Sequence, residues 1–170
     1  IIVSDADTGA YKRHWAAYGN KPDDNAPRTR VYEGPGSPQF NLLHGIRISN
    51  DGLVYVADRV NSRIQVFRPD GSFVKEGYIQ RKTSSTEGTA FDLAFSPDKQ
   101  QQFVYVPDGS NKKVHILDRD SLEVVGWFGG YGGRGTYQFF HVHSIAADSK
   151  GNIYLGESFG MRVLRWKRTG

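Results

Sequence analysis

The stretch His44-Gly-Ile-Arg-Ile-Ser-Asn-Asp-Gly-Leu-Val-Tyr-Val-Ala-Asp58 decides the fold. Two short apolar runs, Gly45 to Ile48 and Leu53 to Val56, flank an Asp51-Gly52 turn. That pattern predicts a tight antiparallel hairpin, because glycine accepts the positive φ such turns require. Downstream, a polar loop with Asn61 leads to a third strand, Arg63-Ile-Gln-Val-Phe67. The turn Arg68-Pro-Asp-Gly71 then leads to a fourth, Ser72-Phe-Val-Lys75.

The same grammar recurs. Phe91-Asp-Leu-Ala-Phe-Ser-Pro-Asp98 continues to Phe103-Val-Tyr-Val-Pro-Asp108, then to Lys113-Val-His-Ile-Leu117 and Glu123 to Phe128. A third copy runs from His143-Ser-Ile-Ala-Ala-Asp148 through Ile153-Tyr-Leu-Gly-Glu157 to Arg162-Val-Leu-Arg-Trp166. Tyr55, Tyr105 and Tyr154 fall at spacings of 50 and 49 residues. A fixed period of this size marks a repeat architecture. Four sequential antiparallel strands make a propeller blade, so the chain is expected to be an all-β propeller of about three four-stranded blades. It reads as one propeller segment over 1–170, with a partial blade at 1–19, blades at 37–79 and 83–129, and a partial blade at 136–168. Closed propellers have about four to eight blades. The pattern is compatible with half of a six-bladed ring, and with two copies joining through exposed blade edges. The Gly-, Pro- and Asp-rich linkers 19–39 and 129–138 are expected at the rim, where binding loops gather.

Composition narrows the function classes. The chain of 170 residues has no cysteine, which removes disulfides, thiolate metal sites and cysteine nucleophiles. No apolar run is long enough to span a bilayer, and Ile1 to Asp5 reads as a strand rather than a signal peptide. The net charge of +4 comes from scattered basic residues, the densest being Lys112-Lys113 and Arg165 to Arg168. No basic stripe interleaved with aromatics is present, so neither nucleic acid nor a membrane is expected as a partner. Gly129-Gly-Tyr-Gly-Gly133 precedes no helix and is not read as a phosphate loop. No Gly-x-Ser-x-Gly elbow occurs either.

Phe40, His44-Gly-Ile, Val54-Tyr-Val-Ala-Asp-Arg59 and Asn61-Ser-Arg-Ile-Gln-Val-Phe67 together resemble the NHL repeat of six-bladed propellers. The first and third repeats are similar to peptidyl-α-hydroxyglycine α-amidating lyases. In that family, histidines opening the inner strands hold a catalytic metal. The resemblance implies this role for His44 and His143, and an active-site role for Arg59. At the corresponding place the second repeat has Phe91, a departure, while Asp92 matches a calcium-binding carboxylate. Calcium-dependent lactonase propellers form the wider group and imply a metal in the central channel.

Residues entering the inner strands converge on the channel mouth. His44 and His143 there could offer neutral imidazoles to a divalent ion, with Asp92 adding an oxygen ligand. Calcium is the expected ion, with zinc as the alternative. His141, two residues before His143, and Glu157 are further channel candidates. Arg59 would stabilise an oxyanion, and whichever histidine is not a ligand, His143 first, would act as base. Asp58, Asp108 and Glu157 also read as structural ties between a blade loop and the third strand near Arg63. Phe67, Trp127 and Trp166 read as packing between blades. The expected activity is metal-dependent hydrolysis of a small-molecule lactone, such as an N-acyl-homoserine or sugar lactone. A non-catalytic propeller module binding a protein or ligand, and an amidating-lyase-like enzyme, are the alternatives.

Overall fold

The computed structural model describes residues 1–27 and 29–167. Arg168, the last residue of the expected third partial blade, lies outside the described residues. Among the described residues fifteen strands follow one another: β1 (Ile2–Ser4), β2 (Tyr11–His14), β3 (Leu43–Ile48), β4 (Val54–Asp58), β5 (Arg63–Phe67), β6 (Phe73–Tyr78), β7 (Ala94–Phe95) and β8 (Phe103–Asp108). They continue as β9 (Lys113–Asp118), β10 (Val124–Gly129), β11 (Tyr131–Gly132), β12 (Gln138–Phe139), β13 (Val142–Ala147), β14 (Ile153–Glu157) and β15 (Arg162–Trp166). A 3-10 turn at Ala17–Gly19 interrupts the β pattern. No helix among the described residues is long and apolar enough to cross a membrane.

The sheets are those of a partial propeller. Blade 1 is β3-β4-β5-β6 and blade 2 is β7-β8-β9-β10, each antiparallel and in chain order. Blade 3 has three strands, β13-β14-β15, and the hairpin β1-β2 precedes blade 1. Blade 2's inner strand is only two residues long, because Asp92 and its neighbours leave the ladder for other bonds described below. The linker 129–138, expected as an open rim loop, holds a short parallel pair, β11 with β12. Arg162 pins it: the guanidinium donates to the carbonyls of Gly133, Arg134 and Gln138.

Blades stack face to face, so strand residues of both parities are covered. Tyr55, Ala57, Ile64 and Val66 of blade 1 pack against Leu93, Val104, Val106 and Leu117 of blade 2. Val54, Val56 and Phe67 point the other way, against Trp15 and the β1-β2 hairpin. Hence all five residues of β4 and of β5 are buried. Blade 3 packs on blade 2 by one face only, so β15 alternates between half-buried and exposed, with Val163 bare. The hairpin covers only the outer half of blade 1, leaving Ile46 and Ile48 of the inner strand exposed. Trp127, expected between blades, is instead 56% exposed and lies beside the Lys113 ammonium. It sits on outer strand β10, where no neighbouring blade reaches it.

Each blade closes its second strand onto its third with a buried acid. Asp58 Oδ2 accepts from Arg63 Nε at 2.8 Å and from Asn61 at 2.8 Å. Asp108 takes Asn111 and His115, and Glu157 takes Arg162 Nε at 2.5 Å. The ties expected of Asp58, Asp108 and Glu157 are formed.

Candidate functional site at the channel mouth

Pairing register puts His44, Arg59 and the end of β6 at one end of blade 1, since Leu43 faces Asp58 and Arg63 faces Tyr78. Blades 2 and 3 start their inner strands at the same end, so Phe91, His141 and His143 meet His44 there. The rings form one cluster. His44 and His143 lie 4.6 Å apart, centroid to centroid, although 99 residues separate them. Phe91, wholly buried, is the hub: it touches His44 at 5.8 Å, His143 at 5.7 Å and His141 at 5.0 Å. An apolar ring where the other repeats carry histidine therefore walls the site and keeps water from its underside.

The Nδ1–H of His44 donates to the Phe91 carbonyl. That bond holds a proton on Nδ1 and turns Nε2 toward the role of ligand, the orientation a metal-binding imidazole needs. His143 has its pKa lowered, first by burial and then by the positive field of His44, His141 and Arg59. It is therefore held neutral at pH 7. His141 is oriented from both sides, with Nδ1 2.9 Å from Ser158 Oγ and Nε2 3.0 Å from Glu87 Oε2.

Arg59 lies over Phe91, its Cζ 4.0 Å from the ring centroid, with an ion pair to Glu87 at 3.2 Å. Its Nε is buried without a partner. The side chain is only 12% exposed, so ring and carboxylate together hold the guanidinium in place.

Asp92 is placed otherwise than the sequence suggests. Its carboxylate accepts from the backbone N–H of Leu93 at 2.8 Å and of Ile145 at 3.1 Å. Arg47 pairs with it at 3.0 Å. Three blades thus converge on one buried carboxylate, already neutralised and hydrogen-bonded. Gly45 permits the approach, since a Cβ there would come within 2.6 Å of Asp92 Oδ1. Glu157, the other acidic candidate, is spent on Arg162 and on the backbone N–H of Phe140 at 2.6 Å. Among the described residues no group of three or more His, Cys, Asp or Glu side chains is arranged to hold a metal ion. What the structure brings together is a pair of imidazoles, with Arg59 and His141 beside them.

Beside His143 opens a groove of about 450 Å³ that also touches Ser144, Ser158, Met161 and Val163. Glu87, Ser158 and Phe159 were not among the residues singled out in the sequence. Phe159 lies 4.6 Å from the His141 ring. Glu87 comes from the polar linker before Phe91 and has no fixed place in the repeat.

These features define the class: a partial β-propeller of four-stranded antiparallel blades with a histidine cluster where its inner strands begin. Residues 40–67 match the NHL repeat model. The chain is 28% identical over 172 aligned residues to peptidyl-glycine alpha-amidating monooxygenase B of Xenopus laevis, covering 98% of this chain and 17% of that protein. It is 33% identical over 92 residues to human NHL repeat-containing protein 3, covering 54% of this chain and 23% of the relative. The chain thus spans under a quarter of the length of these relatives. A putative 6-phosphogluconolactonase from Bacteroides fragilis superposes with a TM-score of 0.59 at 16% identity, over 75% of this chain and 35% of the other. A Bacteroides caccae protein of unknown function gives 0.56 at 18% identity, over 79% and 48%. The structural likenesses show a shared propeller fold.

Proposed function

We propose that the chain supplies part of the catalytic channel of a metal-dependent enzyme of the amidating-lyase type. The observation that carries this reading is the His44–His143 pair, with Arg59 held on Phe91 beside it. The donor set fits an imidazole-binding ion such as zinc better than calcium, which prefers several oxygens. Asp92, the oxygen donor expected for calcium, is committed to Arg47 and two backbone amides. The alignment with a peptidyl-glycine alpha-amidating monooxygenase over 98% of the chain supports this reading, and the resemblance to amidating lyases implies a peptide ending in α-hydroxyglycine as substrate.

A bound divalent ion would polarise a substrate oxygen and raise the acidity of an attached hydroxyl. His44 Nε2 and His143 would hold it, further ligands coming from outside the pair. The chain's own residues do the rest. Phe91 excludes water below the site and strengthens every charge interaction above it. Arg59 would stabilise the substrate's hydroxyl oxygen as it loses its proton; that oxygen becomes a carbonyl as the C–N bond breaks, and the departing amide nitrogen takes up a proton. His141, locked between Ser158 and Glu87, presents a fixed ring edge to the substrate rather than a mobile one.

Opening of a lactone is the second reading, since the same constellation would stabilise a tetrahedral oxyanion. Assaying a hydroxyglycine-extended peptide and a lactone panel side by side separates the two. Each is run with zinc, with calcium and with EDTA. Cleavage of the peptide that EDTA abolishes and zinc restores supports the lyase, with Arg59→Ala lowering the rate by about a hundredfold. Calcium-restored lactone opening with no peptide cleavage overturns it.

A further inference from the structure

We infer that Glu87 is the positioning residue of this channel mouth, holding Arg59 and His141 in register across the junction of blades 1, 2 and 3. One carboxylate oxygen, Oε2, lies 3.2 Å from Arg59 Nη2 and 3.0 Å from His141 Nε2. The two partners come from different blades, 82 residues apart. Phe91 packs against both, and Glu87 adds the polar bridge between them.

The linker is built to deliver this carboxylate. Gly88 adopts φ +74°, and a Cβ there would fall 1.9 Å from the Arg59 carbonyl oxygen and 2.6 Å from Val60 Cα. Only glycine lets the linker backbone press against residues 59 and 60. Thr89 N–H then donates to the Arg59 carbonyl at 3.2 Å, and Ser110 Oγ donates to the Gly88 carbonyl at 2.6 Å. The backbone on the C-terminal side of Glu87 is thus fixed to blade 1 and blade 2 together. Its side chain is about half exposed, so the pair contributes little to folding. A close backbone approach that fixes a weakly stabilising ion pair points to a role in the site.

The consequence is selective. Glu87 engages one Nη of Arg59, so the guanidinium is pre-oriented and its charge already balanced. Such a group favours an oxygen on which charge develops during reaction over a substrate carrying a full charge from the start. Losing Glu87 should therefore cost turnover more than binding. The kinetic part of this inference rests on the channel-enzyme reading, whereas the clamp itself does not.

Two measurements on Glu87→Gln and Glu87→Asp test it. By NMR of the arginine side chains, Arg59 should show separate Nη signals in the parent protein, because rotation is slowed by the carboxylate and the ring. In Glu87→Gln these should collapse to one averaged signal, while Glu87→Asp keeps part of the separation. In turnover assays, Glu87→Gln should lower kcat by about tenfold or more and change KM by less than about twofold. Glu87→Asp should recover part of the loss. Unchanged Arg59 signals in a folded Glu87→Gln protein would overturn the clamp. An unchanged kcat would overturn its kinetic role. Absence of all turnover in the parent protein would count against the proposed function, and the NMR result would still decide the clamp.

Discussion

In blade 1, the joint between second and third strands is Asp58 with Arg63, both side chains wholly buried. In blade 2 the same joint is Asp108 with His115 and Asn111, and the place of Arg63 is taken by Lys113. Arg63 does more than neutralise its acid. Its guanidinium also reaches Tyr18, Glu76 and the carbonyls of Ser37 and Gln39, so the linker entering blade 1 is tied to the latch. Arg162 repeats this in blade 3 on carbonyls of the preceding linker. A planar fork with five donors can serve an acid and several carbonyls together, and a lysine ammonium or an imidazole cannot. Blade 2 therefore holds its incoming linker, 79–90, without an arginine fork, through Asn111 to the Thr83 hydroxyl and Ser110 to the Gly88 carbonyl. That linker is also held against Arg59, carrying Glu87 to the histidine cluster. Two latches grip their linkers with an arginine fork, and the blade that lacks the fork brings its linker to the site.

The comparison can be broken most forcefully at Arg63. Arg63→Met leaves Asp58 buried and uncompensated, and should cost about 3–5 kcal/mol in urea unfolding. His115→Leu removes one neutral-scale hydrogen bond while Asn111 still serves Asp108, so about 1–3 kcal/mol is expected. Equal losses at the two positions would show that the fork carries no special weight. Glu87→Gln, in the linker without a fork, should shift unfolding by less than about 1 kcal/mol, in contrast to its effect on turnover.

A smaller effect concerns pH. The folded pKa of His143 is depressed by burial and by neighbouring positive groups. As pH falls through the unfolded value of about 6.5, the unfolded chain takes up the proton first. Stability should therefore decline on acidification in that range, and level off once the folded ring is also protonated. His143→Gln should flatten this part of the profile, read from urea midpoints between about pH 5 and 8. Parallel profiles for the two proteins would exclude the effect.

The blades were legible because their signals are local. Asp51-Gly52 and Pro69-Asp-Gly71 mark turns, the tyrosine spacing marks the period, and alternate packing follows from blade stacking. The convergence of His44, His143 and Arg59 was legible because each opens or closes a strand at one end of a blade. Asp92 was not, because its partners Arg47 and Ile145 lie on the two neighbouring blades and no spacing encodes them. Nor was Glu87, set in a polar linker where only the crowding of Gly88 against Arg59 reveals its purpose. Trp127 misled because an aromatic on an outer strand looks the same in sequence whether or not a neighbour covers it.

Titrating the protein with zinc and with calcium by calorimetry, alongside His44→Ala and His143→Ala, tests the central claim most directly. The account predicts one zinc bound per chain, an affinity lowered by at least about tenfold in either variant, and much weaker calcium binding. Calcium binding that survives both substitutions, with no zinc bound, would contradict it.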